Sequence, residues 1–104
     1  MKTRDLRLEI KIWGSMLECR VFLETDEVGL WAYNASKKIF FKELPDYPIE
    51  GELDVRMFCK GKNGASAKLT VKIKDQADDS LECVINKGNS ETSKSITIIQ
   101  TADL

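Results

Sequence analysis

Cysteines stand at positions 19, 59 and 83 and are the residues of this chain most suited to chemistry. No two of them have the spacing of a metal knuckle or of a Cys-x-x-Cys redox pair. Each falls at an apolar position of an alternating stretch, where a thiol serves as a small buried hydrophobe. An odd number of thiols favours a reducing compartment. There is no histidine, which removes imidazole acid–base catalysis, histidine metal ligation and an imidazole pH switch. The carboxylates Asp75, Asp78 and Asp79 lack the spaced calcium loop with its closing glutamate and read as a solvated turn. Asn63-Gly64 is turn chemistry without the Gly-x-x-x-x-Gly-Lys-Ser/Thr phosphate cradle. No nucleophile–base pair is present. The sequence therefore predicts no enzyme, no catalytic, cofactor-binding or metal residues, and no cofactor.

The bulk numbers narrow the partners. The 104 residues predict one domain spanning 1–104. Sixteen basic and seventeen acidic residues leave a net charge of −1. A general nucleic-acid binder or a polybasic membrane binder is normally more basic. No apolar run approaches the ~18 residues of a membrane span, and the polar start Met-Lys-Thr-Arg-Asp has no signal-peptide pattern.

Strands must position these residues. Alternation with period two marks half-buried strands, and it runs through most of the chain. Leu6, Leu8, Ile10 and Ile12 form one apolar set; Leu17, Cys19, Val21 and Leu23 form the next. Gly14-Ser15 between them suits a type II′ hairpin, with Ile10 opposite Cys19. Residues 28–34 carry Trp31 and Tyr33 on one face. Residues 38–43 make a short strand, and 44–50, with Pro45 and Pro48, read as an extended connector and not a ladder strand. Residues 51–75 hold the clearest pattern. Folding Leu53 opposite Ile73 pairs Val55 with Val71, Met57 with Leu69 and Cys59 with Ala67. It also sets Glu52 against Lys74 and Asp54 against Lys72, opposite charges that stabilise an antiparallel pair. Leu81, Cys83 and Ile85 form another inward set, Lys87 to Thr92 a loop, Ile96 and Ile98 the last strand, and Thr101 to Leu104 a frayed tail. Eight short strands without a helix predict an all-β sandwich or barrel.

The strings around the cysteines resemble the intermediate set of the immunoglobulin superfamily. Cys19 lies on the second strand, Trp31 on the third and Cys83 on the seventh, the Cys…Trp…Cys constellation of that sandwich. Gly14-Ser15-Met16-Leu17-Glu18-Cys19-Arg20-Val21, Leu69-Thr70-Val71-Lys72-Ile73, Glu82-Cys83-Val84-Ile85-Asn86-Lys87-Gly88-Asn89-Ser90 and Ser95-Ile96-Thr97-Ile98 resemble its second, fifth, seventh and last strands. The resemblance covers about residues 12–100. Leu81 stands where the family often has a tyrosine and Ala77 where it has an aspartate, so the tyrosine's corner hydrogen bond is absent. The resemblance implies a two-sheet immunoglobulin-like β-sandwich of about eight strands with Cys19, Trp31 and Cys83 as the core signature. It also implies that the connector after the fourth strand crosses the molecule. Seven extended residues reach about 23 Å at ~3.3 Å each.

Trp13, Phe22 and Phe58 fall on the polar sides of their strands. On the implied fold Phe22 and Phe58 share the outer face of one sheet with Arg20 and Arg56. Interface centres favour aromatics with arginine. The resemblance thus implies a non-enzymatic interaction or structural module with a protein partner, a second copy included. It would be one cytoplasmic domain of a larger protein of muscle or cytoskeletal type, with free thiols. A second reading is an extracellular adhesion or receptor domain with a Cys19–Cys83 disulfide. There Asn34, in the acceptor pattern Asn34-Ala35-Ser36, is a glycosylation site. A third is a carbohydrate or small-ligand binder using Trp13.

Overall fold

A computed structural model describes residues 2–49, 51–86 and 91–99. They form nine strands: β1 (Lys2–Trp13), β2 (Met16–Leu23), β3 (Asp26–Val28), β4 (Ala32–Asn34), β5 (Ile39–Ile49), β6 (Glu52–Gly61), β7 (Ser66–Ile73), β8 (Asp79–Val84) and β9 (Glu91–Ile99). All pairings are antiparallel, in one sheet of order β4-β5-β1-β7-β8 and another of order β3-β2-β6-β9. The fold is all-β, as the alternation predicts, and of the sandwich and the barrel that the alternation allows it is the two-sheet sandwich. Of the loop expected over Lys87 to Thr92, residues 87–90 lie outside the described residues, as does the tail from Thr101, whereas Glu91 and Thr92 belong to β9, paired with Lys60 and Cys59.

The alternating residues meet between the sheets. Leu8, Val21, Val55, Met57, Cys59, Ala67, Leu69, Val71 and Cys83 are fully buried, and no polar side chain is buried among the described residues. Each large apolar side chain removed from water contributes about 1.5–3 kcal/mol, so one shared core holds both sheets. β1 is central in its sheet: Leu8 lies opposite Lys42 of β5 on one side and Val71 of β7 on the other.

Neither expected hairpin forms. β1 pairs with β5 and β7, not with β2; β6 pairs with β2 and β9, not with β7. Gly14-Ser15 and residues 62–65 are corners that carry the chain from one sheet to the other. The inward residues of 51–75 are those expected, but Leu53 faces the other sheet across the core instead of lying beside Ile73. A strand satisfies an apolar face equally well beside its neighbour or opposite it, and alternation does not distinguish the two. The pairings Glu52–Lys74 and Asp54–Lys72 are therefore absent. Asp54 instead accepts a hydrogen bond from the Thr97 hydroxyl of β9 at 2.7 Å, and Lys72 pairs with Asp78 at 3.6 Å. The corners lock together. Lys62 N–H donates to the Ser15 carbonyl at 3.0 Å, and a Cβ on Gly61 would lie 2.9 Å from that same oxygen. In the immunoglobulin sandwich the first two strands pair; here they lie in different sheets.

Three further expectations are corrected. The proline stretch is no crossing connector but the second half of β5, laddered on β1 with Thr3 opposite Pro48. It tolerates proline because β4 covers only Ile39–Phe41 of its other edge, and because Pro45 and Asp46 bulge out opposite Asp5, where a ladder donor is not needed. Asp46 N–H is satisfied by Asp5 Oδ1 at 3.0 Å. The single strand expected over 28–34 is split at Gly29-Leu30-Trp31. Leu30, in the left-handed region at φ 58°, turns the chain from β3 in one sheet to β4 in the other. Leu17, expected inward, is 68% exposed, because the ladder to β6 shifts register between Met16 and Glu18 and Met16 packs on the core in its place.

Candidate functional site

The outer face of β2 and β6 brings four of the predicted site residues together. Their antiparallel register sets Arg20 opposite Phe58 and Phe22 opposite Arg56, so arginine and aromatic alternate in a checkerboard. The Arg56 guanidinium carbon lies 4.7 Å from the centre of the Phe22 ring. Arg20 Nε pairs with Glu18 at 3.0 Å. Arg56 has no carboxylate within ion-pair distance among the described residues, so its donors remain open to an outside acceptor. On the neighbouring β9, Ser93 lies opposite Phe58 and Ser95 opposite Arg56; within the row the two arginines are exposed and the two rings half-buried. Beside it, Phe22, Glu24, Asp54, Arg56, Ser95 and Thr97 line a shallow depression of about 470 Å³.

The opposite sheet differs. Its Arg7 is held by Glu9 at 2.8 Å and Glu43 at 2.6 Å and stacks 4.5 Å over Phe41. The hydrogen bonds it donates to Glu9 and then to Glu43 raise its already high pKa, and its donors are largely used internally. Trp13 lies on this sheet, at the end of β1 opposite Ser66. It is 43% exposed with the Lys11 ammonium 5.7 Å from its ring centre, and so is separate from the other four. Asn34 ends β4, and its side-chain oxygen accepts the Lys37 N–H at 3.1 Å.

The core-signature residues occupy a different place from the one implied. Trp31 sits in the crossing between β3 and β4, half-buried, with its indole N–H donating to the Val28 carbonyl at 3.0 Å. It borders a groove of about 340 Å³ with Ile10, Ile12, Met16, Cys19 and Phe40. The near neighbour of Cys19 is Cys59, directly opposite on β6, with the sulfurs 3.4 Å apart. Cys83 lies on the other sheet, its thiol 3.7 Å from the Met57 carbonyl. All three thiols are free. The hydrogen bond between the Cys19 and Cys59 thiols lowers the Cys19 pKa, against burial, which opposes it. The same bond pushes Cys59 up to about 12. The Cys83 thiol is pushed up by its hydrogen bond with Cys59 and then by burial. Nothing in the sequence signals the Cys19–Cys59 contact, because it depends on pairing two strands far apart in the chain.

The fold and these surfaces define an antiparallel two-sheet sandwich with an arginine–aromatic face and a thiol-bearing groove. Comparisons with protein-family models, with curated proteins and with solved structures found no match.

Proposed function

We propose that this chain is a non-enzymatic protein-interaction module whose contact surface is the outer face of β2 and β6. The observation that carries this reading is the checkerboard of Arg20, Phe22, Arg56 and Phe58. Aromatic rings supply large contact area at little entropic cost, and arginine combines stacking with directed hydrogen bonds. Interface centres are enriched in both. Arg56, stacked on Phe22 and without a carboxylate partner among the described residues, favours a partner that brings an acidic side chain to this face. The further reading, one immunoglobulin-like cytoplasmic domain of a larger cytoskeletal or muscle-type protein, is supported only by the Cys…Trp…Cys strings of the sequence.

The test is retention of proteins from an extract on immobilised wild-type chain and on Arg56→Ala, Phe58→Ala and Trp13→Ala. The reading expects the same partners on wild type and Trp13→Ala, and about tenfold weaker retention or more on the other two, as for residues at an interface centre. Equal retention by wild type and all three variants overturns it. Sedimentation of the same set tells whether the partner is a second copy of the chain.

A further inference from the structure

We propose that Cys19 and Cys59 form an oxidation site, in which a peroxide oxidises Cys19 and Cys59 resolves the product to a disulfide bridging β2 and β6. The two residues are directly opposed in the antiparallel ladder. Opposed residues in such a ladder have Cα atoms about 4.5–5.5 Å apart, inside the ~4.4–6.8 Å range that a disulfide spans. The sulfurs are already 3.4 Å apart, so the bridge needs side-chain adjustment without sliding of the strands. Access is unequal. Cys19 is half-buried and lines the groove beside Trp31, whereas Cys59 is fully buried behind it. A small oxidant entering the groove therefore meets Cys19 first.

The electrostatics assign the same roles. The hydrogen bond between the two thiols lowers the Cys19 pKa and raises that of Cys59, which favours the thiolate on Cys19. Thiolate character combined with access, next to a second thiol, is the arrangement that oxidises reversibly. The Cys19 thiolate attacks one oxygen of the peroxide; an S–O bond forms, the O–O bond breaks and hydroxide leaves, taking up a proton. Cys59 sulfur then attacks the Cys19 sulfenic sulfur. The S–S bond forms, the S–O bond breaks, and the departing hydroxide leaves as water with the Cys59 proton. The two thiols lose two electrons and one hydrogen peroxide becomes two waters. Cys83 lies on the other sheet with its thiol directed to the Met57 carbonyl at 3.7 Å, so it is not the resolving group.

The experiment exposes the folded chain to hydrogen peroxide, then denatures, alkylates, digests and maps it by mass. The expected product has lost two hydrogen masses, carries a Cys19–Cys59 bridge and has Cys83 alkylated; Cys83→Ser gives the same bridge. In Cys59→Ser, Cys19 is trapped as a sulfenic acid by dimedone. A bridge that includes Cys83, or three alkylated thiols under conditions that oxidise free cysteine, overturns the proposal. The wild-type map decides the question even if Cys59→Ser does not fold.

Discussion

Exposed Arg56 stacks on half-buried Phe22, and a cation–π contact near the surface contributes about 0.5–1 kcal/mol. Phe22→Ala is therefore expected to cost about 1 kcal/mol in denaturant unfolding while weakening partner capture. Met57, by contrast, is fully buried between the sheets, and Met57→Ala is expected to cost about 2–5 kcal/mol. If the two losses came out equal, Phe22 would belong to the core and not to a contact face. The thiols make a separate prediction in pH. Cys59 is raised to about 12, and Tyr47 is raised by burial and then by Asp26 and Glu24. A group raised in the folded state contributes stability that is fully present below its unfolded pKa and is lost as pH climbs through the folded value. The melting temperature should thus fall as pH rises from about 9 toward 12, the window over which Cys59 keeps its proton in the folded chain and loses it in the unfolded one. Thiol alkylation should show the opposite order of reactivity, with Cys19 modified well before Cys59 and Cys83 at neutral pH.

At the scale of elements, the corners decide the topology. Gly61 lets the end of β6 approach the Gly14-Ser15 corner; a Cβ there would lie 2.9 Å from the Ser15 carbonyl and 3.1 Å from Met16 Cα. Gly61→Ala is expected to destabilise by about 1–3 kcal/mol, as overpacking does. Thermal unfolding within half a degree of wild type would show that the two corners are not held together. Leu30 tests the other crossing. It is 93% exposed and left-handed at φ 58°, a conformation costing a non-glycine residue roughly 1–2 kcal/mol. Leu30→Gly removes that strain and loses almost no burial, so a net gain of about 0.5–1 kcal/mol is expected once the greater freedom of glycine in the unfolded chain is subtracted. A loss on equilibrium denaturation would mean that the leucine side chain holds the crossing in place.

Across the whole molecule, both sheets share one apolar layer, and β1 is laddered on either side by strands that come much later in the chain. Unfolding is expected as a single transition, with fluorescence and far-UV circular dichroism coinciding. Refolding, dominated by non-local pairing, is expected on the millisecond-to-second scale. Two separated transitions would show that the sheets are independent units.

The sequence alone determined most of the residues that turn inward, Leu17 being the exception. Leu6, Leu8 and Ile10, the inward sets of 51–75, and Leu81 with Cys83 were legible because a pleated strand puts every second side chain on one face, whatever its neighbours are. By the same logic Arg20, Phe22, Arg56 and Phe58 were legible as outward. Only the tertiary structure decided which strand lies beside which. The Gly14-Ser15 and Asn63-Gly64 turns suit a hairpin locally, yet each bends the chain over an edge into the opposite sheet, because burying both apolar faces across one core satisfies more surface than laying them side by side. That choice opposed Cys19 to Cys59, moved Trp31 from an expected strand to the rim of a groove, and aligned the two arginine–aromatic pairs into one surface. The physical reason is common to all three: a strand's facing is set by its own period, whereas its neighbours are set by the packing of the entire chain.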